Sequence, residues 1–291
     1  MSAATELLIA AGLDPVLVRT HVELALAEDV PGGLDITSVA TISETHTATL
    51  AFVARQSGVV AGIPVAMLVF ELVGGTALTI ELEVTDGSSV APGDTILSVS
   101  GRTRDLLRAE RPALNYLGRL SGIATATHAW VVALAGTNAR VRDTRKTTPS
   151  MRALEKYAVR CGGGVNHRMS LSDAALIKDN HVAAAGGVVP AFAAVREQFP
   201  DVELEVEVDS LDQLEQMLAA GADLILLDNF TVEELTRAVA MTAGGAKLEA
   251  SGGLTLTDAA SVGATGVDFL AVGALTHSSP VLDIGADYRE S

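Results

Sequence analysis

From Ala139 to Val272 the chain repeats one pattern six times, a short apolar run followed by an amphipathic segment of helical period, and this alternation restricts the fold more than any other feature. The apolar runs centre on residues 139–141, 175–177, 202–208, 224–227, 247–250 and 269–272. Strands that alternate with helices form parallel sheets through right-handed crossovers. Six such units are too few for a standard eight-stranded ring, so the pattern predicts an α/β fold built as an incomplete, irregular α/β barrel. An open doubly wound sheet is the alternative.

The first part of the chain has a different character. Asp14-Pro15 reads as the N-cap and first position of a helix reaching about Glu28. Residues 49–54, 78–84 and 95–99 alternate as strands, with a helix between Pro64 and Val73, which predicts an N-terminal α+β sandwich domain. The expected domains are 1–116, with 281–291 packing back on it, and 117–280. Between them, residues 104–134 are helical in pattern; Pro112 is expected to open a new helix there, with another break near Gly118. The turn-rich stretch 86–94 resembles the hairpins of biotinyl and lipoyl carriers. A carrier needs a lysine at the hairpin tip, and this chain has none before Lys146, so the stretch reads as a structural hairpin.

In a parallel α/β barrel the reactive groups sit at the carboxyl ends of the strands. Those ends read, in order, Asp143-Thr144-Arg145-Lys146, Lys178-Asp179-Asn180-His181, Glu207 with Asp209, Asp228-Asn229, Ser251-Gly252-Gly253 and Gly273-Ala274. Arg145, Lys146, His167, Arg168 and Lys178 form a candidate anion-binding set, because arginine offers a bidentate fork to a carboxylate and lysine a compact charge to a phosphate. The late glycines suit phosphate, since they let backbone N–H groups approach an anion and such loops commonly present a helix N-terminus. Glu207 and Asp228, on neighbouring strands, are candidates for sugar hydroxyls or for a metal ion held partly through substrate. The competing reading of Glu203, Glu205 and Glu207 is the solvated face of an edge strand.

Charge sharpens this picture. The formal net charge is -16, yet residues 102–178 hold 14 of the 20 Lys and Arg against five acids, a segment of +9 in a chain that is otherwise -25. So acidic a protein is not expected to bind nucleic acid or an anionic membrane surface, and aromatic residues, at 3%, are too few for base-stacking platforms. The cationic segment points instead to a small anionic ligand in a pocket. The start Met1-Ser2-Ala3-Ala4-Thr5-Glu6 lacks the basic region of a signal peptide, and the longest apolar run, Gly58 to Phe70, contains Gly62 and Pro64; neither export nor a membrane span is expected. The single Cys161 fits a reducing cytoplasm and reads as a small buried or semi-buried residue rather than a nucleophile.

The stretch DTRKTTPSMRALEKYAVRCGGGVNHRMSLSDAALIKDNH, residues 143–181, closely resembles the signature region of quinolinate phosphoribosyltransferases, the carboxylating nicotinate-nucleotide pyrophosphorylases. The likeness continues through Glu205-Val206-Glu207-Val208, Leu226-Leu227-Asp228-Asn229, Ala250-Ser251-Gly252-Gly253 and residues 271–277, and backwards to Glu110-Arg111-Pro112, Asp35-Ile36-Thr37 and Ala27-Glu28-Asp29. Ser150 and Leu34 depart from the family's usual pattern without touching a candidate site residue. The resemblance implies a reaction of de novo NAD biosynthesis, in which quinolinate and 5-phosphoribosyl-1-pyrophosphate give nicotinate mononucleotide, pyrophosphate and carbon dioxide with magnesium (Mg2+). It also implies a homodimer that donates Arg111 to the neighbouring active site. By that resemblance Arg145, His167, Arg168 and the donated Arg111 hold the carboxylates, with Thr144 also at the substrate. Lys146 and Lys178 lie between the two substrates, Glu207 and Asp228 bind ribose or magnesium, and Ser251, Gly252, Gly253, Gly273 and His277 take the 5-phosphate region. Lys146, Glu207 and Asp228 are the expected catalytic groups. A related group associated with molybdenum transport, with another substrate, is the alternative.

Overall fold

The computed structural model describes residues 1–290, which divide into two compact units. The first comprises residues 1–126, 153–163 and 278–290; the second comprises 127–152 and 164–277.

In the first unit an antiparallel sheet has Thr47–Ala54 (β1) at its centre, flanked by Thr95–Arg102 and by the last strand, Ile284–Glu290, with Thr79–Leu82 outside. The short strands Gly58–Val59 (β2) and Ser89–Val90 pair separately. In chain order Thr79–Leu82 is β3, Ser89–Val90 β4 and Thr95–Arg102 β5. β1 is buried almost throughout, because one partner covers each edge and the apolar helix Ile63–Gly74, buried from Ile63 to Phe70, joins the same core. Phe52 and Phe70 meet edge to face at 5.6 Å. Asp14 caps the helix Pro15–Asp29 by accepting the Val16 N–H at 2.8 Å. The turn at 86–94 is a structural hairpin: half-buried Asp86 accepts the N–H groups of Gly62 and Ile63 at the start of the core helix, and the Tyr157 hydroxyl at 2.6 Å.

The helix break expected at Pro112 does not occur. Thr103–Ala133 is one continuous helix. An internal proline costs about 3 kcal/mol, but Leu106, Ala109, Ala113, Leu117, Leu120 and Ala124 form a fully buried stripe on this helix. Burying each large side chain contributes roughly 1.5–3 kcal/mol, so the three leucines more than offset the proline. Gly118 is not a break either. Together with Gly122 it lets the segment 280–282 lie on the helix: Leu282 N–H donates to Gly118 O at 3.0 Å, and a Cβ on Gly122 would stand 2.0 Å from Pro280 O. The helix Arg152–Cys161, assigned from sequence to the barrel, belongs from residue 153 onward to the first unit. Leu154, Tyr157, Ala158 and Val159 are buried there, and fully buried Glu155 accepts from Arg119 at 2.8 Å.

The second unit holds six parallel strands, Arg140–Arg142 (β6), Ala175–Ile177 (β7), Leu204–Val208 (β8), Leu224–Asp228 (β9), Lys247–Ser251 (β10) and Phe269–Ala271 (β11), in the spatial order β6-β11-β10-β9-β8-β7. The closing strand of the first unit, Ile284–Glu290, is β12. The sheet curls: groups at its two ends, the segment after β6 and the end of β7, line one cavity. β6 and β7 do not pair with each other, and only an isolated bridge from Arg142 to Val165 reaches into the gap. This is the incomplete barrel rather than the open sheet. Among the described residues no helix is long and apolar enough to cross a membrane.

Candidate active site

Alternate residues of a strand share a face, and in this barrel the inward face carries Leu176, Lys178, Leu226, Glu249, Ser251 and Ala271. Two cavities open at the carboxyl ends of the strands. The first, about 300 Å³, is lined by Arg145, Arg168 and His167 as well as these inward residues. The second, about 550 Å³, is lined by Glu207, Asp228 and Asn229 and by the glycine segments at 252–253 and 273, with His277 at its edge. Thr144, Lys146, Lys178 and Ser251 border both. Thirteen of the fourteen site residues expected from sequence are therefore in the walls of two adjoining spaces. Arg111 is the exception: it lies in the first unit, exposed, 4.0 Å from Glu110.

The first cavity is electrostatically prepared for an anion. The Arg168 guanidinium sits below its ordinary pKa, first because burial strips it of water and next because the Arg145 guanidinium repels it. Arg168 spends one N–H on Ala174 O at 3.0 Å, and Arg145 Nε is buried with no acceptor in the protein. Two cations held close together, with a buried donor uncommitted, match a ligand that brings carboxylates.

The second cavity has the glycine wall expected of a phosphate site. Gly252 has φ +105°, and a Cβ there would fall 2.2 Å from Asn229 Oδ1. A Cβ on Gly273 would press on Lys146 Cδ at 3.0 Å and on His277 Nε2. Helix N-termini, expected beside these loops, contribute little, since the helices that follow, Ala259–Gly263 and Ala274–His277, are five and four residues long. The small helix 274–277 instead fixes the lysine: Thr276 Oγ1 donates to Lys146 O at 2.9 Å, while Lys146 N–H donates to Thr144 Oγ1 at 3.0 Å. On the opposite wall Lys178 forms a close ion pair with Glu207.

At the floor of the first cavity lies a charged layer of which the sequence reading assigned only His167 to the site. Glu205 and Glu249 are buried on β8 and β10, Arg142 Nη1 donates to Glu249 Oε2 at 2.6 Å, and His167 Nε2 lies 2.7 Å from Glu205 Oε2 and 3.6 Å from Glu249 Oε1. Burial pushes the Glu205 carboxyl up to about 7, and burial with the nearby Glu205 charge pushes Glu249 up to about 7. The solvated-face reading of Glu203, Glu205 and Glu207 holds only for exposed Glu203, because β8 lies between β7 and β9 and is no edge strand. Asp143, fully buried, accepts the His167 N–H at 2.9 Å and the Asn166 side-chain amide, anchoring the loop that carries Arg168. His167, Glu205 and Glu249 could geometrically gather a metal ion. The Arg142 guanidinium already supplies a fixed positive charge to Glu249, which disfavours a second cation there.

Residues 35–121 and 123–287 match the two family models described as quinolinate phosphoribosyl transferase, N-terminal domain and C-terminal domain. The chain belongs to the quinolinate phosphoribosyltransferase family. It is 53% identical over 273 residues to a nicotinate-nucleotide pyrophosphorylase [carboxylating] of Mycobacterium leprae, covering 92% of this chain and 96% of that one. A probable enzyme of the same name from Bacillus subtilis is 40% identical over 261 residues, covering 89% of each chain. The fold of the family is seen in the crystal structure of NadC from Streptococcus pyogenes, with a TM-score of 0.92, 40% identity and coverage of 96% of this chain and 99% of that one. The nicotinate-nucleotide pyrophosphorylase of Francisella tularensis gives a TM-score of 0.92 at 36% identity over 95% of this chain and 98% of that one.

Proposed function

We propose that this protein is the quinolinate-consuming phosphoribosyltransferase of NAD biosynthesis, forming nicotinate mononucleotide, pyrophosphate and carbon dioxide from quinolinate and 5-phosphoribosyl-1-pyrophosphate. The observation that carries this reading is the pairing of an arginine-lined cavity with a glycine-walled one across two lysines. A dicarboxylate and a phosphorylated sugar need those two environments side by side.

Arg145 and Arg168 hold the carboxylates of quinolinate, and the glycine segments at 252–253 and 273, with Ser251 and His277, hold the 5-phosphate. Lys146 and Lys178 sit where the two substrates meet. As pyrophosphate departs, the sugar ring gains positive charge; Glu207 and Asp228 stabilise it and orient the ribose hydroxyls, while Lys146 and Lys178 offset charge on the leaving group. The ring nitrogen of quinolinate attacks the anomeric carbon as its bond to pyrophosphate breaks; loss of carbon dioxide then leaves an electron pair on the adjacent ring carbon, stabilised by the neighbouring positive nitrogen, and that carbon takes up a proton from solvent to give nicotinate mononucleotide. No side chain need form a covalent intermediate, so orientation in the paired cavities carries much of the rate.

Magnesium fits the oxygen donors Asp228 and Glu207, which line one cavity, as two carboxylates completed by substrate oxygens and water. When bound it supplies charge neutralisation for pyrophosphate. The protein works in the cytoplasm as a homodimer, each site completed by Arg111 of the partner subunit. The test is release of labelled carbon dioxide from quinolinate carrying the label in its 2-carboxylate. Release is expected only with both phosphoribosyl pyrophosphate and magnesium present; purified, folded protein that releases none under those conditions refutes the assignment.

A further inference from the structure

The buried layer under the first cavity links two carboxylates to one of the arginines above them. The backbone N–H of Arg168 donates to His167 Nδ1 at 2.7 Å. A ring nitrogen that accepts a hydrogen bond carries no proton, so this contact puts the imidazole proton on Nε2. Nε2 faces the two carboxylates, Glu205 Oε2 at 2.7 Å and Glu249 Oε1 at 3.6 Å. Both Glu205 oxygens and Glu249 Oε1 are buried without a well-aligned hydrogen bond, so the nearby His167 Nε2 meets them by charge and proximity. Nδ1 of His167 is taken up by a hydrogen bond and Nε2 lies against the two carboxylates, so the ring stands as a strut between the acids and the Arg168 backbone rather than as a cationic hand for substrate. The same loop is pinned through its backbone by Asp143.

The geometry points to Glu205 and Glu249 as positioning residues: by facing Nε2 they fix the His167 tautomer that accepts the Arg168 backbone N–H, and so hold the stretch of main chain from which the Arg168 side chain enters the dicarboxylate cavity. Barrel interiors are usually filled by branched apolar side chains, and two buried acids carry a desolvation cost that only a positional or chemical role accounts for. The groups facing the histidine are Arg142 from β6, Glu205 from β8 and Glu249 from β10, with Arg168 and Lys178 near enough to Glu205 to lower its pKa. The role deepens the quinolinate reading and rests on it for the identity of the carboxylate ligand, but the tautomer does not.

Nitrogen-15 spectra of histidine-labelled protein at pH 7.5, assigned against His167→Asn, are expected to show His167 protonated on Nε2 and not on Nδ1. A proton on Nδ1, alone or with Nε2, overturns the proposal whatever the substrate is. The second measurement compares Glu205→Leu with Glu205→Gln, which keeps an acceptor for Nε2–H. Glu205→Leu is expected to raise the KM for quinolinate by about tenfold or more, the loss of one well-placed charged contact, with the KM for phosphoribosyl pyrophosphate within about twofold of the original. Glu205→Gln is expected to stay near the parent. Equal changes in both KM values, or an unchanged quinolinate KM in a folded Glu205→Leu protein, overturn the positioning role. If Glu205→Leu does not fold, the nitrogen-15 result and Glu205→Gln decide the matter. A parent protein that shows the Nε2–H tautomer but no turnover of quinolinate retains the strut and refutes the substrate assignment alone.

Discussion

Replacing Glu205 with glutamine should stabilise this protein at neutral and alkaline pH and have little pH-independent effect of its own. In the unfolded chain the carboxyl titrates near its ordinary value of 4.5, while burial in the barrel raises it to about 7. The folded state therefore holds the proton more tightly than the unfolded state. Below pH 4.5 both states are protonated and the burial carries no charge penalty. Between 4.5 and 7 the unfolded chain gains by ionising and the folded chain does not, so folding stability falls by about 1.4 kcal/mol for each pH unit. The loss reaches about 3 kcal/mol near pH 7 and then levels off. Glutamine never ionises and escapes this penalty; removing the Glu205 charge also eases ionisation of Glu249, which acts in the same direction. Urea unfolding of both proteins at pH 5, 6, 7 and 8, at one protein concentration, measures the difference. The Glu205→Gln advantage should grow by about 2.5 kcal/mol from the lowest to the highest pH, part of the penalty being already present at pH 5. A difference that stays flat, or one that reverses sign as pH rises, refutes the burial argument.

Other perturbations test other parts of the structure. Lys146→Ala and Glu207→Ala should each cut turnover by about a hundredfold or more while leaving the melting temperature nearly unchanged; near-parental rates would remove either residue from the site. Gly122→Ala should destabilise the fold by about 1–3 kcal/mol in urea unfolding, because its Cβ would stand 2.0 Å from Pro280 O, and a neutral effect would mean that the 280–282 segment is loosely held. Mixing inactive Arg111→Ala with inactive Lys146→Ala should restore about a quarter of the parental activity once subunits exchange, since half the dimers then hold one intact site of two. No recovery after demonstrated exchange would place Arg111 outside the neighbouring site.

The sheet was legible because each strand of the second unit is a short apolar run bounded by polar or glycine residues, so the six positions stand out even where a strand is three residues long. The cavity walls were legible for a related reason: inward-facing residues at strand ends are few, and charge or glycine at such places is chemically distinctive. What the sequence hid depends on contacts between distant segments. Pro112 looks like a helix start until the buried stripe from Leu106 to Ala124 is seen to hold the helix together. Glu205 follows the same alternation as exposed Glu203, and only the position of β8 between two other strands reveals that it is buried. Glu249, in Lys247-Leu248-Glu249-Ala250, carries no local mark of its ion pair with Arg142, which lies 107 residues earlier. Two more apolar positions, spaced in the periodic way that signals a strand, would have looked no different to a pattern reader.

The unpaired flank between β6 and β7 has a kinetic meaning. Each of these three-residue strands has a strand neighbour on one side only, apart from the single Arg142–Val165 bridge. Their amides are held by fewer shared ladders than those of β9 and β10, and hydrogen exchange should find them opening first within the sheet. Arg142, Lys146 and Lys178 all stand on or just beyond that flank. The place where the barrel is least knit together is thus also where its charged machinery is mounted, so local opening there would disturb chemistry long before the global fold is lost.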